Sequence, residues 1–264
     1  LIVRKLLFAF SVATLLLPAN FAQPFESKNK DIKSASRAVE AVPFTVGERL
    51  EYEVSWSSFL VAGELVLEIK ERRNIDGVDA YHVSAEAQSV GLVNLTILKV
   101  KDVYNSFINA TTLQPFRAEK NSRRGKKREQ GAMTLDQQGG KATLEDGKQI
   151  AIPQGTYDLA SLLYAIRTID LKGNKPQRFT LIEDGKLYDL SVEIEGREKL
   201  TTRIGKYNIV RVATKAVSSR NKDPYQLRIF LTDDAERLPV LITAEPAWGQ
   251  VRVELTNATG TKKR

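Results

Sequence analysis

Apolar side chains fall at every second position over much of this chain, and a period of two confines those stretches to half-buried β-strands. Leu50, Tyr52, Val54 and Trp56 alternate with Glu51, Glu53 and Ser55. After Ala62-Gly63, where a bend or bulge is expected, Leu65, Leu67 and Ile69 alternate with Glu64, Glu68 and Lys70. Tyr81, Val83, Ala85 and Ala87 form another such series, followed by Val93, Leu95 and Ile97 and, less cleanly, by Val103, Asn105 and Phe107. The pattern returns at Tyr188, Leu190, Val192 and Ile194, at Leu227, Ile229 and Leu231, and at Val251, Val253 and Leu255. Apolar-in, polar-out alternation marks an antiparallel sheet with one wet face. About a dozen strands are too many to stay flat. The expected fold class is therefore mainly β: an antiparallel sheet curled into a barrel or half-barrel with one central α-helix.

That helix is expected over residues 158–169. Asp158 can cap its start, Leu159, Leu162, Leu163, Ile166 and Ile169 make an apolar stripe, and Pro153 and Gly155 bound it upstream. The strands before and after it carry similar punctuation. Leu113-Gln114-Pro115 and Leu238-Pro239 each open a strand after a polar turn, and Gly77 with Tyr81 is matched by Gly205 with Tyr207. The folded body is placed at residues 43–258, with possible repeats 43–150 and 175–258 joined by the helix and a tail at 259–264; generic β-meander grammar is the alternative to a duplication.

Residues 1–22 have the layout of a secretory signal peptide: Arg4-Lys5, an uncharged apolar run from Leu6 to Leu17, then Pro18 and small residues at Ala19 and Ala22. The run is too short to span a bilayer core that needs about 20 helical residues. Residues 23–42 read as a flexible polar leader. The expected address is periplasmic, and since the chain contains no Cys, disulfides, thiolate metal sites, a Cys nucleophile and a lipidated N-terminal Cys are all excluded. The formal charge of +8 becomes +6 without Arg4 and Lys5, an excess that suits anionic headgroups or simply solubility.

Ordered landmarks then resemble a known family. They run Phe44-x-x-Gly47-Glu48-x-Leu50-x-Tyr52-x-Val54-x-Trp56, Ala62-Gly63, Asp102-x-Tyr104-x-Ser106 and Leu113-x-Pro115. Asp158-x-x-Ser161-x-x-Tyr164-x-x-Arg167 follows, then Asp233-Asp234, Arg237-Leu238-Pro239-Val240 and Gly249. Together they resemble the exported bacterial family called domain of unknown function 3108, over roughly residues 43–257. The resemblance implies an envelope location and a mostly β fold, and brings no reaction, cofactor or catalytic residue with it.

Candidate sites follow from residue chemistry. Tyr52, Trp56, Tyr104, Tyr164, Arg167, Tyr188 and Trp248 are the expected lining of an apolar ligand pocket; filling of the core is the structural alternative, and Arg167 could instead pair with a sheet carboxylate. Arg117, Lys120, Arg123, Arg124, Lys126, Lys127 and Arg128 surround Gly125 and read as a cationic hairpin tip for an anionic surface, or as a solvated loop. Nucleic acid is not an expected partner, because no aromatics interleave the cluster. His82, the single histidine, is expected on the polar face of its strand, and Asp233-Asp234 in a turn rather than as a metal site. No catalytic residue, metal or cofactor is expected.

The function these features point to is non-catalytic binding of a lipid or lipidated chain in a β half-barrel, at the membrane surface and without a transmembrane helix. The alternative is an assembly protein that recruits an envelope partner through a sheet edge. An envelope hydrolase built on His82 is a third class, lacking a visible nucleophile.

Overall fold

The computed structural model describes residues 41–56, 60–91, 99–173, 175–216, 226–245 and 249–261. The expected signal peptide, the leader up to residue 40, the Val93-Leu95-Ile97 series and Trp248 lie outside the described residues. Among the described residues fifteen strands and one helix follow each other: β1 (Arg49–Trp56), β2 (Leu60–Ile75), β3 (Val78–Ser89), β4 (Val100–Asn109), β5 (Pro115–Arg124), β6 (Lys127–Asp136), β7 (Lys141–Leu144) and β8 (Gln149–Ala151). Then come β9 (Thr156–Tyr157), α1 (Leu159–Ile166), β10 (Gln177–Glu183), β11 (Lys186–Thr202), β12 (Gly205–Ala216), β13 (Gln226–Thr232), β14 (Pro239–Ala244) and β15 (Val251–Thr259).

All fifteen belong to one sheet. β1 pairs with β15 at its middle; β2 to β8 extend one way in chain order and β14 back to β9 the other. Every pairing is antiparallel except the two-residue one between β9 and β10. The sheet edges are β8 and β9, neighbours in sequence, so a short connector forces the two ends of the curl together. Side chains seal that seam. Gln137 Nε2 donates to the carbonyls of Pro115 and Thr156, the Gly155 amide donates to Gln137 Oε1, and Lys120 pairs with Asp184 at 3.0 Å. Leu135, Ala142 and Ile152 pack on Ile182 of the opposite side.

The inner face carries the expected alternation. Leu50, Tyr52, Leu65, Leu67, Ala85, Ala87, Val253 and Leu255 share one buried cluster. β4 departs from it. The cross-strand partners of the inward-facing Val83 and Ala87 are Ser106 and Asp102, which puts Val103, Asn105 and Phe107 on the outer face. Polar groups occupy the inner positions of β4 because they serve α1 and β5.

α1 plugs the curl. Its Leu162, Ala165 and Ile166 pack on Leu181, Leu190, Val210, Val212, Ile229 and Leu231, while Ala160 and Tyr164 pack on Phe44, Ile69, Val83 and Ile108. A helix buried on both sides has no solvent face, so its short length is compensated by packing and caps. Asp158 and Ser161 form a reciprocal capping box. At the other end Arg237 Nη1 donates to the carbonyls of Arg167 and Ile169 at 2.9 and 2.6 Å, which satisfies orphan acceptors of the helix terminus.

The two runs of strands repeat one turn. Leu113 (φ 58°) and Arg237 (φ 47°) both adopt left-handed backbone just before Pro115 and Pro239. The Asn109 amide donates to Gln114 O, and the Thr232 amide to Leu238 O, each at 2.9 Å. Bulges fall between Phe107 and Ile108 in one ladder and between Phe230 and Leu231 in the other.

Candidate functional site

Three of the seven expected pocket residues meet inside the curl. Arg167 is 0% exposed and holds Glu48 with both terminal nitrogens, at 2.6 and 2.9 Å, while Nη2 also donates to the carbonyls of Pro43 and Glu236. Its guanidinium lies 5.5 Å from the Phe44 ring and 5.3 Å from that of Tyr164. Burial pushes the Tyr52 and Tyr164 hydroxyls far above their ordinary range. Arg167 is thus closed off beneath the sheet rather than standing at a cavity mouth, its buried charge compensated by Glu48 and two carbonyls. Sequence spacing could not show this pair, whose members are 119 positions apart.

Tyr104 and Tyr188 belong to a second polar group, at the seam. Asp158 Oδ2 accepts from Ser106 Oγ at 2.6 Å and Oδ1 from the Ser161 amide at 2.8 Å. Burial raises the Asp158 carboxyl, partly offset by those bonds and one from Tyr104. Glu183 is buried too and pushed up to about 8, first by burial and then by the charge of Asp184, with Lys120 opposing. Burial next to these carboxylates pushes Tyr188 up to about 12. Trp56 is half-buried at the end of β1 and joins neither group.

A concavity outside the barrel involves none of the seven. In β11 a bulge between Ile194 and Gly196 sharpens the twist, and the β11–β12 hairpin bends back over the outer face of the sheet. Its tip reaches β15 and β1: the Arg203 amide donates to Glu254 Oε1 and Arg203 Nη1 to Glu53 Oε2 at 2.8 Å. Under the hairpin, Ile209, Phe230 and Leu241 are buried on this outer side, with Leu200 and Tyr207 packed nearby. What remains open is a groove of about 820 Å³ bordered by Ile194, Leu200, Phe230 and Leu241 and by Arg211, Lys215, Arg228, Glu193 and Glu195. Its charges are paired: Arg211 and Arg228 with Glu195 at 3.0 and 3.1 Å, and Lys215 with Glu193. The groove is thus of mixed character, a paired charged rim beside half-buried Leu200. The signal was in the sequence as unbroken apolar runs, Ile229-Phe230-Leu231 and Val240-Leu241-Ile242, which mark strands covered on both faces. A concavity of about 390 Å³ at β1–β3 is bordered by Glu51, Glu53, Glu64 and Glu86 together with Arg49 and Lys101, and touches Tyr52.

The expected cationic tip is the β5–β6 hairpin, turning at Gly125-Lys126. Register divides its cations between two faces. Lys120, Arg124 and Lys127 share the inner face, paired respectively with Asp184, Asp102 and Glu129. Arg117 is outward but bonded to Glu119 at 2.6 Å. Arg123 and Arg128, directly opposite each other, and Lys126 keep exposed heads.

His82 Nε2 lies 2.9 Å from Asn105 Oδ1 and its ring stacks on Phe107, a strand histidine held from two sides. Asp234 Oδ1 accepts from Thr232 Oγ1 and the amides of Glu236 and Arg237, the geometry of a turn. Among the described residues no cluster of three or more His, Asp or Glu could hold a metal, and no helix is long and apolar enough to cross a membrane.

A family model described as protein of unknown function (DUF3108) matches residues 51–256. Among solved structures, the chain is similar to a β-barrel-like protein of domain of unknown function DUF1849 from Brucella abortus, at 15% identity and a TM-score of 0.59, covering 84% of this chain and 100% of that one. It also matches a DUF1089 family protein from Pseudomonas aeruginosa at 9% identity and a TM-score of 0.43, over 70% of this chain and 93% of that one. No curated protein matches the sequence significantly.

Proposed function

We propose, from the premise that the chain belongs to the DUF3108 family of proteins of unknown function, that it is a non-catalytic periplasmic protein of the cell envelope, holding a lipid or lipidated chain while its β5–β6 hairpin docks on an anionic membrane face. The observation that carries this reading is the outer groove. Its volume lies within the range of about 300–1,000 Å³ usual for small-molecule sites, and half-buried Leu200 offers an apolar surface at its edge, above the already covered Phe230 and Leu241. The groove replaces the interior as the ligand site in this reading, since α1 and three buried clusters occupy the interior. The signal-peptide layout of residues 1–22 supports the location. Strand addition is supported less: the edges β8 and β9 offer only three and two residues.

Native mass spectrometry of protein purified from a bacterial periplasm, followed by organic extraction, tests the ligand. A stoichiometric lipid is expected, and Leu200→Ser should weaken its retention. Bare wild-type protein, or a lipid that Leu200→Ser leaves in place, would remove the groove from the reading.

A further inference from the structure

The seven clustered cations of the hairpin are not equivalent, and a residue from another strand joins those that are free. Lys101 of β4 stands directly opposite Arg123 of β5, which stands directly opposite Arg128 of β6. All three are exposed, and none makes an ion pair or side-chain hydrogen bond among the described residues. With neighbouring strands about 4.8 Å apart, three like charges lie within about 10 Å of one another. Directly opposed like charges weaken a sheet, so the row works against the fold unless something outside it is negative. Lys99 and Lys126, also exposed, flank it at the strand end and the turn.

The same register row continues toward the sheet centre as Gln88, Glu64, Glu53 and Glu254. Glu53 and Glu254 are paired with Arg203 and Arg252, so the row passes from three unpaired cations to a balanced stretch. A broad negative surface attracts the β4–β6 side over the β1–β2 side, which selects one orientation of the barrel. Of the inward cations, Lys120 and Arg124 are half-buried and held by Asp184 and Asp102, while Lys127, bonded to Glu129, stays exposed at the tip.

We propose that Lys101, Arg123 and Arg128 form a three-strand row that binds the phosphates of an anionic phospholipid bilayer and fixes how the protein sits on it. The row rests on the docking reading above and specifies its residues. A flat rank of cations without interleaved aromatics matches a plane of phosphates and lacks the stacking platforms that single-stranded nucleic acids need.

The test is vesicle sedimentation of the chain lacking residues 1–22, at low salt, on phosphatidylglycerol/phosphatidylcholine and on pure phosphatidylcholine vesicles. Each basic residue near an anionic surface is worth about fivefold in partitioning, so K101Q/R123Q/R128Q should weaken binding to the anionic vesicles about 100-fold. A control with the same charge change, K141Q/K148Q/K206Q, should cost far less; these lysines are exposed and lie elsewhere on the barrel. Equal losses in both triples overturn the row while leaving membrane docking in place. No binding of the wild type to anionic vesicles removes the docking reading and the row with it. Tighter, row-dependent binding to polyphosphate or single-stranded DNA than to vesicles would reassign the row to soluble polyanions and overturn the bilayer.

Discussion

Removing one half of the buried Glu48–Arg167 pair should cost more than any other single polar substitution in this chain. Arg167→Met keeps much of the side-chain volume but strips four hydrogen bonds, two from Glu48 and one each from Pro43 O and Glu236 O. Glu48, itself 0% exposed, is left as an uncompensated buried anion. Breaking such a pair costs about 3–5 kcal/mol, a large share of the roughly 5–15 kcal/mol that holds a domain together. At about 2–4 °C per kcal/mol for a chain of this size, Tm should fall by about 6–20 °C. Glu48→Leu with Arg167→Met removes both charges and should recover a good part of the loss, leaving the two open carbonyls as the residual cost. The assay is urea unfolding of the wild type, both single variants and the double variant, with the coupling taken from the cycle. A coupling below about 1 kcal/mol, or a double variant no more stable than the worse single one, would refute the argument that the pair is held by mutual compensation in a dry interior.

Other expectations come from different parts of the barrel. Glu183 has a folded pKa of about 8 against about 4.3 in an unfolded chain. Its contribution to stability is therefore intact below about pH 4 and lost progressively as pH rises toward 8; at about 1.4 kcal/mol per unit the upper bound is about 5 kcal/mol. Glu183→Gln should flatten the urea midpoint between pH 5 and 8, and an unchanged slope would show that another group sets it. Two glycines should behave oppositely under the same substitution. A Cβ on Gly260 would come within 2.0 Å of the Gly47 carbonyl oxygen, whereas one on Gly77 meets nothing within 4 Å. Gly77→Ala should then cost only the left-handed backbone penalty of about 1–2 kcal/mol, while Gly260→Ala should additionally detach the end of β15, seen as faster amide exchange at Arg49 and Leu50. Arg237→Ala should free the carbonyls of Arg167 and Ile169 and destabilise by about 1–3 kcal/mol, measured by thermal unfolding.

Legibility divided along physical lines. The inner faces of β1, β2, β3, β11, β13 and β15 could be read because burial on one side and water on the other leaves a period of two in the residues. The start of α1 could be read from Asp158, since a cap is a local event. β4 misled the reading: Val103, Asn105 and Phe107 look like its core series, but the core side needs Asp102 and Ser106 to hold Arg124 and Asp158. Tyr52 and Tyr164, two of the expected pocket residues, surround an ion pair that no spacing rule connects. The hairpin was visible as charge, but its division into a paired inner set and an unpaired outer row is a matter of register, and Lys101 enters that row only through cross-strand pairing. The turn before Pro115 recurs before Pro239, as a duplication or generic β-meander grammar would each give.

The pairing of β1 with β15 brings together segments 205 positions apart, and it has a kinetic side. Each half of the sheet can zip up locally, hairpin by hairpin, but the middle of the barrel waits for a loop closure spanning nearly the whole body, the slow kind of step for a β topology. A chain threaded through a membrane before folding would tolerate that delay, because premature closure is what its topology postpones. Gly47 and Gly260 nearly touch, whereas Pro153 and Gln154 lie between the sheet's natural edges. A circular permutant opened at Gln154, with a few residues joining position 260 to position 47, would turn the longest-range contact of the protein into an ordinary hairpin. It should reach the same barrel faster, with its new ends at the seam.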